Sequence, residues 1–236
     1  MIILFIIIAV LVIAILVILL YCNKPFPEAQ AIGEEMTLAG SDYYFYGDSG
    51  VGFIIFSGAK TDDLAYAYLA KLLHAGGHTV VIPKQAFHIS AFGSKHGLEI
   101  MKTNSDIHTW ILIGHSLGGM PVSRIAAAQP DHLAGIALLA TFASVNLSGL
   151  NISALRLTAE NDGIMNNANM ERYDRNLPEH AATIMLEGAN HQGFGAYRSG
   201  SGRDKEAAIS WKEQNEQTVR LILDFFSEQI REAATG

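Results

Sequence analysis

Cysteine is almost missing from this chain: Cys22 is the only one in 236 residues. A single thiol forms neither an internal disulfide framework nor a cysteine-based metal site. Charge is thin too, with Asp, Glu, Lys and Arg making up 17% of the residues. No cluster of Lys or Arg occurs, and 16 basic against 23 acidic side chains leave a formal net charge of −7. That balance argues against nucleic acid as a partner. Charge is wholly absent from Met1 to Tyr21, which are almost entirely Ile, Leu, Val, Ala and Phe. Internal repeats are lacking, as are low-complexity tracts outside that stretch.

The uncharged stretch has the length of a membrane span. About twenty apolar helical residues, at ~1.5 Å each, match the ~30 Å hydrocarbon core of a bilayer. Tyr21 adds an interfacial aromatic and Lys24 a flanking cation. A cleaved signal peptide is one rival, but it would carry a basic start, a shorter apolar core and a small-residue cleavage site. A lipoprotein signal at Cys22 would need a small residue where Tyr21 stands. A buried core helix is the remaining rival. The reading adopted is an uncleaved single-pass membrane anchor over residues 1–22. Lys24 alone favours a cytoplasmic domain. An anchor with almost no preceding tail more often leaves the following domain outside, and an extracytoplasmic domain is the expectation.

Residues 23–35 (NKPFPEAQAIGEE) combine two prolines with polar residues and read as a short linker. Half of the chain is hydrophobic, enough for one sizeable core within residues 36–236. There the pattern alternates. Strands are expected at 36–46 (one or two), 51–57, 79–82, 107–113, 133–140, 152–158 and 182–186. Helices are expected from 62 or 63 to 75, then over 117–129, 165–177 and 205–232. Short apolar strands between helices predict the α/β class: a doubly wound, mostly parallel sheet with helices on both faces. Such sheets bind ligands beyond the carboxyl ends of their strands.

The residues with chemistry fall at those ends. Gly114-His115-Ser116-Leu117-Gly118 fits G-x-S-x-G between a predicted strand and a predicted helix. That turn is sharp, so glycines two before and two after the serine keep side chains from colliding. The plain alternative is a small-residue turn that lets strand and helix pack closely. Pro121 removes a backbone donor early in the helix, and a locally distorted start is expected there. Serine at its ordinary pKa needs a neighbouring base. Of nine histidines, His191 stands just after the last predicted strand, in E-G-A-N-H-Q-G-F-G. His115 is expected to point away across the turn. An acid should hold the imidazole, and the chain order Ser, acid, His points to T-A-E-N-D-G. Asp162 is chosen there, with Glu160 as the rival. The oxyanion needs two backbone donors, expected from Leu117 and from Ala59 in Ser57-Gly58-Ala59-Lys60.

These motifs, over residues 36–232, resemble the α/β-hydrolase fold family, and within it the compact, lidless branch. F-S-G-A-K-T-D-D-L-A-Y is similar to that branch's oxyanion loop and following helix. W-I-L-I-G-H-S-L-G-G resembles its nucleophile elbow, T-A-E-N-D-G its acid turn, and G-A-N-H-Q-G-F-G-A-Y its histidine loop. Only about a dozen residues separate the strand ending near Ala140 from the next, where relatives often insert a lid. The resemblance implies a serine hydrolase acting on an ester-type bond of a small-molecule or lipid-like acyl substrate, with Ser116, Asp162 and His191 catalytic and no cofactor or metal. The related dienelactone hydrolases use cysteine as nucleophile; the serine here departs from them. Thioesterase, amidase, lipase or acyltransferase chemistry would use the same three residues. A non-catalytic binding protein on the same scaffold is the alternative from another class. Phe87, His88, Phe92 and Phe194 are expected to line the substrate pocket.

Overall fold

The computed structural model describes residues 2–166, 170–198 and 202–233. Two structural units follow one another: an apolar helix and an eight-stranded sheet layered with helices. The helix, α1, covers Ile2–Leu20. Its side chains are described from Phe5 to Val17, and all of them are exposed. That described stretch is about 20 Å long at ~1.5 Å per residue. Among the described residues, no helix is long and apolar enough to cross a membrane.

The segment read as a linker folds. Pro27–Glu34 form α2, started by Pro27 in its first turn and buried through Ala29, Ile32 and Gly33. Proline is well placed there, because a first-turn N–H has no helical partner to lose. Before α2 the backbone is also fastened. Asn23 N–H donates to the Lys60 carbonyl, Asp62 N–H to the Asn23 carbonyl, and Phe26 N–H to the Ala196 carbonyl.

The sheet then follows: β1 Thr37–Ala39, β2 Asp42–Phe45, β3 Val51–Phe56, β4 Thr79–Ile82, β5 Thr109–His115, β6 Leu133–Leu139, β7 Ser153–Ala159 and β8 Ala181–Leu186. Helices α3 (Ala67–His74), α4 (Ser94–Thr103), α5 (Gly119–Ala127), α6 (Trp211–Phe225) and α7 (Ser227–Ala233) complete it. The spatial order is β1-β2-β4-β3-β5-β6-β7-β8. Pairing is antiparallel at β1–β2 and β2–β4 and parallel from β4 to β8. Successive side chains of β3 alternate between the two faces. Phe53 and Ile55 join Leu69, Leu73 and Ile222 on one side; Ile54 and Phe56 join Trp110, Val122 and Ile125 on the other. Both faces are covered, so β3 is buried at every position.

Three expectations change. A helix over Ser94–Thr103 had no counterpart in the sequence reading. The final helix starts at Trp211, where the Ser210 hydroxyl accepts from Glu213 N–H, and it breaks at Phe226 before α7. Of the helix expected over 165–177, residues 167–169 lie outside the described residues, Met170 and Glu171 are α-helical, and Asp174–Asn176 form a single 3-10 turn. The segment from Ala140 to Ile152 contains no helix, so no lid is inserted there.

Candidate active site

At the carboxyl end of β5 the chain turns through a 3-10 turn, Ser116–Gly118, before α5 begins at Gly119. Ser116 takes φ +52° there, a left-handed conformation that L residues adopt at a cost of about 1–3 kcal/mol. The flanking glycines are steric necessities. A Cβ on Gly114 would lie 2.4 Å from the Gly118 carbonyl oxygen, and one on Gly118 would lie 2.2 Å from that of Phe56. Both obstacles are backbone and cannot swing aside. Pro121 falls in the first turn of α5, where its missing N–H leaves no bond unmade.

His191 follows β8, and its Nδ1 lies 2.9 Å from Asp162 Oδ2. Both side chains are buried. The other carboxylate oxygen of Asp162 accepts from the backbone N–H groups of Ile164 (2.8 Å) and Met165 (2.7 Å). Three donors therefore converge on Asp162, and His191 Nδ1 carries its proton toward it. The imidazole is left with an unprotonated Nε2. The rival Glu160 points elsewhere: its Oε2 accepts from Gly188 N–H at 2.8 Å.

The histidine loop is clamped by α6. Gln214 accepts from Asn190 N–H and donates to the Asn190 carbonyl, while Asn215 Nδ2 donates to the Gly193 carbonyl. Asp204 accepts from Gln192 N–H and from Gly163 N–H, tying the histidine loop to the acid turn.

The loop after β3 is built differently. Ser57 Oγ donates to buried Asp63 (2.6 Å), whose second oxygen accepts from Gln85 N–H. Burial pushes the Asp63 carboxyl up to about 6, opposed by those two hydrogen bonds. Gly58 N–H donates to Tyr66 Oη (2.9 Å), which stands 2.6 Å from His115 Nδ1. Burial holds the Tyr66 hydroxyl well above its ordinary pKa, so it keeps its proton. His115 is fully buried; desolvation, then the neighbouring His191, push its pKa well down, and the ring is neutral. The sequence reading that turned His115 away from the site is corrected: its ring centroid lies 4.7 Å from that of His191. Gly58 packs closely here: a Cβ would sit 3.0 Å from His115 Nδ1 and 3.2 Å from Tyr66 Oη.

These loops enclose a cavity of about 480 Å³, lined by Tyr21, Asn23, Gly58, Ala59, Lys60, Ser116, Ile164, His191, Tyr197 and Arg203. Ser116, His191 and Ala59 thus face one space, with Asp162 behind the imidazole. Leu117 follows Ser116 in the 3-10 turn, half-buried and outside that lining. The four expected pocket residues are not part of it either. Phe194 is fully buried, its ring 5.8 Å from His115. His88 supports the loop through its backbone, its carbonyl accepting from Lys60 N–H at 2.8 Å. Phe87 is exposed, and Phe92, at 80% exposure, lines a separate cavity with Lys84 and His96. Tyr66, Asp63, Tyr21 and Arg203 are site residues that the sequence reading did not single out. Among the described residues, no group of His, Cys, Asp and Glu could hold a metal ion.

Comparison with known proteins follows this geometry. No curated protein matches the chain. An alpha/beta hydrolase enzyme from the metagenome of lagoon sediments of Mar Chica, Morocco, superposes with a TM-score of 0.63 at 14% identity, covering 82% of this chain and 98% of that one. A monoacylglycerol lipase from Paleococcus ferrophilus gives 0.57 at 14% identity, covering 78% and 98%. A lidless a/b serine hydrolase from Xanthomonas campestris gives 0.57 at 13% identity, covering 80% and 88%. At such identities the likeness shows the fold. The model of the alpha/beta hydrolase family matches residues 52–216, from β3 into α6, and the chain belongs to that family.

Proposed function

We propose that this protein is a serine hydrolase that cleaves an ester-type bond through Ser116, His191 and Asp162. The observation that carries the reading is the 2.9 Å contact of His191 with Asp162 behind the cavity that Ser116 lines. Ser116 Oγ attacks the carbonyl carbon while His191 Nε2 takes its proton. The oxyanion is held by the N–H groups of Ala59 and Leu117. The carbon–oxygen bond breaks, His191 returns the proton to the departing alkoxide, and the acyl group stays on Ser116. Water then attacks, His191 takes a proton from it, and collapse releases the carboxylic acid and restores Ser116. Intact-mass measurement after fluorophosphonate treatment tests this: one adduct on the wild type, located at Ser116 and absent from Ser116→Ala. An adduct on another residue, or none on an active preparation, refutes the assignment.

The reading includes anchoring by α1. Its 19 residues correspond to about 28 Å, close to a bilayer core. Its described side chains are exposed and carry no charge. An apolar surface of that extent is covered in a cell by lipid or protein. The full chain is expected to sediment with membranes and to resist high-salt extraction, whereas a chain starting at Cys22 is not. Recovery of the uncleaved full chain in the supernatant would remove the anchor from the reading.

A further inference from the structure

The cavity begins where the apolar helix ends. Tyr21 N–H still donates to the Val17 carbonyl, as a helical residue would, and Tyr21 lines the cavity together with Ser116 and His191. The residues that follow are fastened. Asn23 N–H donates to the Lys60 carbonyl, and its own carbonyl accepts from Asp62 N–H. Pro25 pairs with Tyr197 in a β-bridge, and Phe26 N–H donates to the Ala196 carbonyl. Residues 21–26 thus tie the loop after β3 to the histidine loop. A flexible linker would let the cavity drift away from the end of α1, whereas these bonds keep it there. A compact space of about 480 Å³ is about 10 Å across. Each headgroup layer of a bilayer is about 5–8 Å thick. Ser116 therefore stands at the depth of the headgroups if α1 fills the hydrocarbon core, and the ester bonds of a glycerolipid lie at the inner edge of that layer.

A second observation points to the same surface. Cα atoms of α1 come within 8 Å of those of the 3-10 turn Ala86–His88. Phe87, in that turn, is 55% exposed, and Phe92, which ends the next 3-10 turn, is more exposed still. Phe87 also keeps φ +54°, a conformation that a bulky L residue adopts only at a cost, and its ring is not buried in return. Ile164, on the cavity lining itself, is exposed as well. The two phenylalanines expected in the substrate pocket thus stand outside it, on the side of the domain where α1 joins. Exposed aromatic rings next to an apolar helix suit the boundary between headgroups and acyl chains.

We infer that the mouth beside Ser116 is held in the headgroup layer of the bilayer that α1 enters, with Phe87 and Phe92 dipping into that layer, and that the substrate is an acyl ester of a membrane lipid, cleaved without leaving the surface. This rests on the hydrolase and anchor readings above. Each methylene drawn out of the bilayer into water costs free energy. A mouth at the boundary lets most of the acyl chain stay in the leaflet while its carbonyl meets Ser116. The carboxylic acid and the lipid alcohol released by the reaction return to the same leaflet. A dissolved ester would gain nothing from this placement.

The test uses the full chain in vesicles of ether-linked phosphatidylcholine, which offers no ester of its own. Two substrates share one fluorogenic alcohol: a butanoate dissolved in the buffer and a hexadecanoate held in the vesicles. Inserting about twelve Gly and Ser residues between Leu20 and Tyr21 keeps α1 and the fastened strap but lets the domain drift by roughly 20 Å. Combined with Phe87→Ser and Phe92→Ser, the insertion should lower the rate on the vesicle-held ester by about tenfold or more. The rate on the dissolved ester should change by less than about twofold. Equal losses on both esters, or no loss on either, overturn the inference. A second arm needs no turnover. With Cys22→Ala as background, an environment-sensitive dye is attached at Phe92→Cys or, for comparison, at Asp106→Cys. Asp106 precedes β5 and Ser116 follows it, so these positions stand at opposite ends of the sheet. Lipids carrying a nitroxide near the headgroup should quench the dye at position 92 and leave the dye at 106 bright. Equal quenching at both, or none at 92, overturns the placement. Quenching at 92 by a chain that cleaves neither ester would refute the hydrolase reading and the substrate with it, and the placement would stand.

Discussion

The two walls of the cavity are held by opposite electrostatics. On the wall after β7 and β8, the Asp162 carboxyl group faces the His191 imidazole, and amides of the acid turn and the histidine loop converge on the acids. On the wall after β3 and β5, burial keeps Tyr66 and His115 neutral, and the loop is set by hydrogen bonds to the Tyr66 hydroxyl and to the buried Asp63 carboxyl. Two histidines with rings 4.7 Å apart therefore differ in kind. His191 has a carboxylate to stabilise an acquired proton; His115 has only a hydroxyl and a second imidazole that opposes one. One wall is built to change charge during a reaction. The other is built to keep its backbone donors in place while that happens. Each of the following experiments disturbs one wall and reads whether the other is affected.

The largest effect is expected from Asp162→Asn. Two amide N–H groups demand an oxygen at one position of that side chain, so the new NH2 must face His191. His191 then has to accept at Nδ1, its proton moves to Nε2, and it can no longer take the serine proton. kcat should fall by about 10²–10⁴-fold. Glu160→Gln should change little, because the amide oxygen can still accept from Gly188 N–H. Steady-state kinetics on a chromogenic ester decides between them, and the reverse ranking would give the role to Glu160.

Asp63 tests the neutral wall through stability. Its carboxyl rises from 3.8 to about 6 on folding, because burial disfavours the charged form. The folded state thus holds the proton more tightly than the unfolded chain. The stability this supplies is fully present below pH ~4 and is lost as pH climbs through about 6. The rise corresponds to roughly 3 kcal/mol. Asp63→Asn can still accept from Gln85 N–H while donating to Ser57 Oγ. Denaturant unfolding from pH 4 to 7 should show wild type losing stability relative to this variant by that order. Parallel curves would mean that Asp63 titrates normally.

How much of this was legible beforehand depends on the range of the interaction. β4, Thr79–Ile82, falls where the apolar run between Gly76-Gly77 and Pro83 puts it, because strand limits are written in local punctuation. The glycines around Ser116 are local too, and the φ of +52° explains why they are there. The resemblance of four short motifs led to the family that residues 52–216 match. Helix α4 escaped because Gly97 stands inside it, and that glycine is a packing device: a Cβ would strike Ile125 and Phe56 at 2.6 and 2.7 Å. Helix α2 escaped because its prolines read as a linker when one of them starts the helix. The pocket residues were misplaced for a different reason. Which aromatic lines a cavity depends on loop backbones, and no periodicity encodes that Phe194 turns inward while Tyr21 reaches the cavity wall. The pairing of Tyr66 with His115, 49 residues apart, is of the same kind.

That pairing yields the smallest and most discriminating effect. Tyr66 Oη accepts from Gly58 N–H and stands 2.6 Å from His115 Nδ1, and it joins the loop carrying Ala59 to the residue preceding Ser116. Tyr66→Phe keeps the ring, which is fully buried, and deletes that junction. Leaving the buried Gly58 donor unpaired costs about 1–3 kcal/mol, and the loop relieves this by shifting toward water or another acceptor. A shifted loop carries Ala59 N–H away from the developing oxyanion. Contacts to the ground-state ester change less than contacts to the charged intermediate, so kcat should drop by about tenfold with KM nearly constant. The fluorophosphonate labelling rate should fall in step, since phosphorylation of the serine passes through the same anion site. The acid limb of kcat/KM against pH, which follows the charge-changing wall, should stay where it is. Movement of that limb would show that Tyr66 acts on His191 through His115, and the two walls would have to be treated as one. An unchanged kcat would show that the oxyanion loop is held without the hydroxyl, by the Ser57–Asp63 contact and the His88 carbonyl alone.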